Sequence, residues 1–200
     1  GCCRARGDES RPRPAAPPAI AVLSSPAGSE DAGAVATVAL MIADAVEDLR
    51  PVDVGPLARL HARCFYDAWG VSMLRQVLAM PGAFGLVARW GGHGAMIGFA
   101  LARVVADECE LLSLGVAPDH RDRGVGRILM EETMARAGRM GARQFFLEVA
   151  EDNEPGLRLY RRFGLVPVGR RPDYYENADG SRTAALTMRR GLDGPAPRGS

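Results

Sequence analysis

The segment Arg121-Asp122-Arg123-Gly124-Val125-Gly126 decides the fold, because it joins an apolar, β-rich run to a long amphipathic pattern. Two glycines two positions apart let the backbone approach a ligand closely, and the free N–H groups at the start of the following helix favour phosphate. Arg121, Arg123 and Arg127 add positive charge. We therefore predict a phosphate-binding loop over residues 121–127, although a Gly-x-Gly pair is also typical of an ordinary tight turn.

Two common phosphate sites do not match this loop. A P-loop requires Gly-Lys-Ser/Thr, and the chain contains no lysine. A dinucleotide fingerprint requires a small residue at position 129, which is Leu129, and a parallel β-α-β start. The loop is therefore predicted to hold a pyrophosphate that belongs to something other than a dinucleotide.

The segments around the loop show either the two-residue periodicity of β-strands or the 3.6-residue periodicity of α-helices. Apolar, β-rich runs upstream are separated by short turns, which is typical of an antiparallel meander, and one strand-helix-strand crossover follows the loop. The predicted order is β-α-α-β-β-β-α-β-α-β-β, an α+β protein. The predicted strands are 47–52, 84–89, 95–105, 108–116, 144–149, 165–170 and 183–189, and the predicted helices are 54–64, 71–80, 124–140 and 154–163, with Asp53 as the first N-cap.

Composition limits the classes of function. The chain has 200 residues, 47% hydrophobic and 24% charged, and a net charge of +1. This is ordinary globular composition, and it gives no general attraction to nucleic acid or to an anionic membrane. No apolar run approaches the roughly 18 residues of a membrane span, so we expect a cytoplasmic protein without nucleic-acid or membrane partners.

The two ends of the chain differ from its middle. Residues 1–40 are rich in Pro, Ala, Ser, Gly and Arg and lack periodicity, so they are predicted to form a disordered leader, with Met41 as a plausible natural start. Residues 192–200 are rich in Gly and Pro and are predicted to be a disordered tail. The expected domain is therefore 41–191.

The four cysteines match no zinc or redox spacing. Cys2 and Cys3 lie in the leader, whereas Cys64 and Cys109 lie in apolar stretches. We expect the latter two to be small buried thiols in a reducing compartment.

Two residues after the loop carry chemistry. Glu148 stands in the apolar run 145–149, where partial desolvation disfavours the charged form of a carboxylate and brings it towards useful basicity. Tyr160 lies in the next helix and offers a hydroxyl of high pKa as a proton donor. The structural alternatives are an ion pair between Glu148 and an arginine, and a core aromatic role for Tyr160.

With these residues in view, residues 46–190 resemble the GCN5-related N-acetyltransferase (GNAT) superfamily, and within it the bacterial RimI type. The resemblance rests on short motifs that follow one another in the expected order. They are Glu110-Leu111-Leu112-Ser113-Leu114-Gly115-Val116-Ala117-Pro118, Arg121-x-x-Gly124-x-Gly126, Leu147-Glu148-Val149, Asn153, Leu159-Tyr160, Phe163-Gly164, Val168-Gly169-Arg170-Arg171, Tyr174-Tyr175 and Asp179-Gly180.

The resemblance implies a GNAT fold, in which a mixed, mostly antiparallel sheet has splayed central strands and flanking helices, with acetyl-CoA in the gap. It implies no metal. The cofactor-binding residues would be Leu114, Gly115, Val116, Arg121, Asp122, Arg123, Gly124, Val125, Gly126, Arg127, Asn153 and Tyr160. Glu148 would be the general base, directly or through a water, and Tyr160 the general acid.

The resemblance also implies an acceptor. The RimI type acetylates the N-terminal alanine of a ribosomal protein, and Trp69, Tyr174 and Tyr175 would form a groove for such a peptide end. Packing of these aromatics is the structural alternative. A small-molecule amine is the alternative acceptor, although no carboxylate cluster suited to a polycation stands near the expected acceptor loops. A non-catalytic acyl-CoA-binding module is a further alternative, and it would need neither Glu148 nor Tyr160.

Overall fold

The structure, a computed structural model, describes residues 46–91, 94–176 and 181–192. The predicted leader 1–40, with Cys2 and Cys3, lies outside the described residues. So does the predicted tail apart from Leu192.

The order of elements predicted from the sequence is confirmed. Most boundaries agree within two residues, and β6 is longer than predicted. The elements are β1 (Val46–Asp48), α1 (Val54–Cys64), α2 (Val71–Leu78), β2 (Ala83–Arg89), β3 (Met96–Val105), β4 (Glu108–Val116), α3 (Val125–Arg139), β5 (Gln144–Ala150), α4 (Glu154–Arg162), β6 (Val166–Glu176) and β7 (Arg182–Gly191).

The first strand was predicted wrongly at its end. It stops at Asp48, and Pro51–Asp53 forms a 3₁₀ turn, since proline has no N–H to donate to a strand ladder. Asp53 occupies the N-cap position of α1, but its side chain does not cap the helix. Its carboxylate instead accepts hydrogen bonds from Arg50 and Arg89. Burial alone would raise the pKa of this carboxyl, but the two arginines outweigh it and hold the pKa below its usual range.

Seven strands form one sheet in the order β1-β2-β3-β4-β5-β7-β6. The β4–β5 pair is parallel and the other five neighbouring pairs are antiparallel. The parallel pair is the crossover through α3, because parallel neighbours need a long connection. The predicted α+β architecture is confirmed.

The central pair of strands separates partway along its length. β4 pairs with β5 only from Glu108↔Gln144 to Leu111↔Leu147, whereas it remains paired with β3 as far as Val116↔Gly98. A bulge at Leu112 marks the point of separation. Beyond it, residues 112–116 of β4 have no strand partner on the β5 side among the described residues. This is the splay that the resemblance implied.

The core lies on both faces of the sheet. One cluster contains Cys109 and packs beneath α3 and α4, and the other contains Cys64 and packs beneath α1 and α2. Both thiols are free and buried, as predicted. Within the described ranges, every helix is too short or too polar to cross a bilayer.

Candidate active site

The glycine loop leaves the N-terminus of helix α3 open, at the end of the gap between β4 and β5. Asp122 and Gly124 have φ values of 59° and 82°, the left-handed region that glycine adopts without strain. Helix α3 starts directly afterwards, and no side chain caps it. Its first N–H groups can therefore receive an anion. The Nε of Arg121 donates to the carbonyl of Val116 at 3.2 Å and fixes the loop to the end of β4.

The glycines of this region serve different purposes. A Cβ at Gly115 would lie 2.6 Å from the Phe99 ring, so packing alone requires glycine there. A Cβ at Gly126 would make only ordinary contacts, 3.5 Å to Leu159 and 3.7 Å to Val116. Glycine inside a helix lowers stability by up to about 1 kcal/mol relative to alanine. Packing does not explain why residue 126 is a glycine. A glycine that packing does not require is compatible with the close approach of a ligand to the backbone.

The other residues that were predicted to bind the cofactor differ in their burial and in their contacts. Val125 is buried in the core, and the exposed Arg127 pairs with Glu131 one turn further along α3 at 2.6 Å. The exposed Asp122 and the half-buried Arg123 complete the loop. On β4, Leu114 and Val116 point into the core cluster beneath α3 and α4, so only their backbone groups can face the gap.

Asn153, which was predicted to contact the cofactor, has a structural role in this fold. It is the N-cap of α4, and its Oδ1 accepts from the N–H of Gly156 at 3.1 Å. A Cβ at Gly156 would lie 2.8 Å from the Asn153 amide nitrogen, which explains the glycine. A contact between Asn153 and the cofactor stays a prediction.

Glu148 lies one residue beyond the last β4–β5 pair, at the mouth of the gap. Its side chain is 13% exposed, and its Oε1 lies 3.3 Å from Nη1 of Arg171. The register explains this contact, because Glu148 is opposite Thr187, which is opposite Gly169 on β6, and Arg171 follows two residues later on the same face.

A wide bulge in β6 brings both predicted tyrosines towards Glu148. Three residues, 172–174, stand opposite a single residue of β7, and Asp173 has a φ of 52°. Burial raises the pKa of Tyr174, and the charge and hydrogen bonding of Glu148 raise it further. Burial also raises the pKa of Tyr175, with added contributions from Glu148, Tyr174 and Tyr160. Glu148 and the two tyrosines, Tyr174 and Tyr175, therefore lie close together.

Tyr160 is fully buried, and its hydroxyl has no hydrogen-bond partner among the described residues. The hydroxyl of Tyr175 is likewise buried and unpartnered there. Native proteins rarely leave such groups unpaired, so the two orphaned hydroxyls indicate a site that a ligand completes. Burial also raises the pKa of Tyr160 well above its ordinary value.

Glu148 and Tyr160 lie on opposite faces of the sheet. Phe145, Leu147 and Val149 pack in the cluster that contains Tyr160, and Glu148 alternates with them along β5. The two side chains can act on one molecule only where the sheet is open, which is the gap beyond Leu147.

Trp69 does not join this group. It is 3% exposed and stacks on His61, with ring centroids 5.1 Å apart. The structure thus places Trp69 in the core, although its Nε1 has no hydrogen-bond partner among the described residues, and its contact with the acceptor stays a prediction. The indole closes the core beneath the α1–α2 loop.

Sequence reasoning missed the environment of His61. Its Nδ1 accepts from the backbone N–H of Trp69 at 3.1 Å, and its Nε2 lies 3.3 Å from the hydroxyl of Ser113 in β4. An accepting Nδ1 assigns the proton of the neutral ring to Nε2, which then donates to Ser113. Burial lowers the pKa of His61 to about 4. This ring therefore fixes the α1–α2 loop to the separating part of β4.

Sequence reasoning also assigned no role to Arg171, although the residue stands in a quoted motif. The spacing Arg-x-x-Tyr-Tyr was only a weak signal for the site. Strand alternation alone does not predict the bulge that follows Arg171. No group of three or more His, Cys, Asp or Glu side chains is arranged for a metal ion within the part of the chain that the structure describes.

Comparison with known sequences identifies relatives of this arrangement. The chain is 35% identical over 165 residues to "N-alpha-acetyltransferase RimI" of Mycobacterium tuberculosis, a match that covers 74% of this chain and 98% of the relative. It is 33% identical over 94 residues to "[Ribosomal protein bS18]-alanine N-acetyltransferase" of Escherichia coli K12, covering 47% of this chain and 64% of that relative.

Solved structures share the fold. The crystal structure of the ribosomal-protein-S18-alanine N-acetyltransferase from Escherichia coli superposes with a TM-score of 0.69 at 24% identity, covering 78% of this chain and 97% of that one. Arabidopsis thaliana NAA60 in complex with acetyl-CoA superposes with a TM-score of 0.65 at 22% identity, covering 74% and 98%. The family model "Acetyltransferase (GNAT) family" matches residues 55–165. Because that match spans more than half of the chain and includes β4, the glycine loop and α4, the chain belongs to the acetyltransferase (GNAT) family.

Proposed function

We propose that the protein transfers the acetyl group of acetyl-CoA to the N-terminal α-amine of a protein, in particular to the N-terminal alanine of a small-subunit ribosomal protein. Support comes from the relative named RimI, which this chain matches over 98% of that relative's length. The shorter match to the bS18-alanine N-acetyltransferase supports the same acceptor. A cytoplasmic location is part of this proposal, since the acceptor is a ribosomal protein.

The observation that carries the proposal is the cluster at the mouth of the strand gap. Glu148 is 13% exposed where the sheet opens, and the buried hydroxyls of Tyr160 and Tyr175 have no partner among the described residues. Acetyl transfer to an ammonium needs one proton acceptor and one proton donor within reach of the same molecule. In this proposal Glu148 is the acceptor and Tyr160 the donor, at the point where the sheet opens.

The residues for the cosubstrate follow from the same geometry. The open N-terminus of α3, which begins beside Gly124 and Gly126, suits a pyrophosphate, with Arg121, Arg123 and Arg127 nearby. The unpaired edge of β4, from Leu114 to Val116, would hydrogen-bond the extended part of the molecule. When bound, acetyl-CoA supplies a thioester whose carbonyl carbon an amine can attack and whose sulfur leaves as a thiol.

In this proposal the chain moves two protons. The carboxylate of Glu148 accepts one from the acceptor's ammonium, directly or through a water, which frees the nitrogen lone pair. The nitrogen then attacks the thioester carbonyl carbon, and the hydroxyl of Tyr160 donates a proton to the sulfur as the carbon–sulfur bond breaks. The second proton, which the nitrogen loses as the amide forms, returns to the Tyr160 oxygen. Tyr174 and Tyr175 contact the first residue of the acceptor. No covalent bond to the protein is formed.

The test compares three possible acceptors. Purified protein is incubated with acetyl-CoA and either a peptide with N-terminal alanine, the same peptide with a blocked N-terminus, or a small amine such as spermidine, and CoA release is followed. We expect turnover on the free peptide alone. Turnover restricted to spermidine would favour a small-molecule acetyltransferase, and acetyl-CoA binding without any turnover would favour a non-catalytic module.

We predict that Glu148→Gln lowers turnover on the peptide by about 10²–10⁴, the usual contribution of a positioned acid or base. The amide keeps the shape of the side chain, so acetyl-CoA binding measured by calorimetry should be nearly unchanged. The control is Glu151→Gln, just beyond the same strand, where the carboxylate pairs with Arg170 instead. Activity of Glu148→Gln within threefold of the wild type would remove Glu148 from the mechanism.

A further inference from the structure

Arg171 is the charged neighbour of Glu148, and the proposed mechanism gives it no task. Its Nη1 lies 3.3 Å from Oε1 of Glu148, and its guanidinium carbon lies 5.5 Å from the centroid of the Tyr174 ring. Half of the side chain is exposed, at 49%, whereas Glu148 is 13% exposed. An amine that reaches Glu148 must therefore approach alongside the guanidinium of Arg171.

We propose that Arg171 is a specificity-determining residue that admits acceptors with a single positive charge and excludes polycationic amines. This inference rests on the proposed function, since it concerns the acceptor of the same site. The pair Glu148–Arg171 has no net charge, so the site offers a proton acceptor without the excess negative charge that a polyamine requires.

The physical basis is a difference in repulsion. The ammonium of a peptide N-terminus carries one charge, and the amide that follows it can accept a hydrogen bond from an arginine N–H. Spermidine carries further charges on a short chain and has no acceptor oxygen, so its second ammonium stays within several ångströms of the guanidinium. Two like charges 4 Å apart repel even in water strongly enough to weaken binding about fivefold.

Arg170 offers an internal control on the same strand. It is 55% exposed, similar to Arg171, but its guanidinium makes two 2.7 Å contacts with Glu151 rather than with Glu148. Substitution of either arginine removes one positive charge from β6. Only substitution of Arg171 removes a charge that contacts the proposed base.

The experiment measures inhibition of peptide acetylation by spermidine, together with any acetylation of spermidine, in wild type, Arg171→Met, Arg171→Lys and Arg170→Met. We expect Arg171→Met to lower the inhibition constant of spermidine about fivefold or more relative to the KM of the alanine peptide. Arg171→Lys, which keeps the charge, should retain most of the wild-type discrimination, and Arg170→Met should behave as the wild type. Thermal unfolding midpoints verify that each variant is folded.

The outcomes separate this inference from the proposed function. If the wild type does not acetylate the peptide, the proposed function fails. If it does, and Arg171→Met leaves the ratio of spermidine inhibition constant to peptide KM unchanged, Arg171 is not a specificity determinant. An equal shift in Arg170→Met would also overturn the proposal, because it would show a general surface-charge effect.

Discussion

Among single residues, Tyr160 combines two properties that a purely structural residue does not need. Its ring fills the core beneath α4, yet its hydroxyl has no partner among the described residues. A buried hydroxyl without a hydrogen bond opposes folding by about 1–3 kcal/mol, and phenylalanine would fill the same space without that loss. Retention of the hydroxyl therefore indicates a use in the ligand-bound protein.

We predict that Tyr160→Phe leaves the free energy of unfolding unchanged or raises it, while turnover falls about tenfold, a small defect for a proton donor because solvent replaces it in part. Urea denaturation and the peptide assay measure the two effects. Since burial raises the pKa of Tyr160, the hydroxyl keeps its proton throughout the alkaline range, and wild type and variant should have activity profiles of the same shape up to about pH 10.

The exposed Tyr66 provides the control for this prediction. Its side chain is 79% exposed, so Tyr66→Phe changes neither a buried group nor the gap between β4 and β5. Marked loss of stability in Tyr160→Phe would show that the hydroxyl has a structural partner, and unchanged turnover would exclude it as the proton donor.

Among the elements, α3 has two glycines in different situations. Gly126 lies in its first turn beneath the proposed pyrophosphate, whereas a Cβ at Gly138 would meet no atom within 4 Å. Alanine is favoured over glycine inside helices by up to about 1 kcal/mol, so both substitutions should be tolerated by the fold.

We predict that Gly126→Ala raises the KM for acetyl-CoA several-fold without lowering stability, and leaves the KM for the peptide nearly unchanged. Gly138→Ala should preserve both constants. Steady-state kinetics with each substrate varied in turn, together with denaturation curves, provide the comparison. Equal effects of Gly126→Ala on the two KM values would make the loop merely structural.

His61 connects two elements, α1 and the separating part of β4, and it does so as a neutral ring. Its pKa is lowered to about 4 in the folded protein, from 6.5 ordinarily. The unfolded chain therefore binds a proton first as the pH falls, so stability is full above about pH 6.5 and declines between pH 6.5 and 4. The whole decline is at most about 3 kcal/mol.

The corresponding prediction is that His61→Gln is less stable than the wild type at neutral pH but lacks this part of the decline. Urea denaturation of both proteins between pH 7 and pH 4.5 measures the difference in slope. The two proteins have the same carboxylates, so the contribution of the carboxylates to the pH dependence of stability cancels in the comparison. Parallel curves would mean that the pKa of His61 is the same in the folded and the unfolded protein.

At the scale of the whole molecule, the family match covers residues 55–165 and the described structure begins at Val46. We propose that residues 41–191 form the functional domain and that residues 1–40 are dispensable for it. A chain that starts at Met41 should then fold and retain full activity. Loss of more than about 1 kcal/mol of unfolding free energy, the effect of an ordinary point mutation, would show that the leader packs on the domain.

The sequence by itself determined the order of the elements and the position of the glycine loop. Helix α1 and strand β4 were predicted at their observed boundaries, because hydrophobic periodicity and local breakers act over a few residues. The loop was predictable for the same reason, since glycine spacing and backbone conformation are local properties.

Only the tertiary structure decided which side chains meet. The contact of Glu148 with Arg171 depends on the register of three strands and on the bulge that includes Asp173. The burial of Trp69 on His61 depends on how α1 packs against β4. Such contacts join residues far apart in the chain, and a shift of one residue in any strand would turn its side chains to the other face.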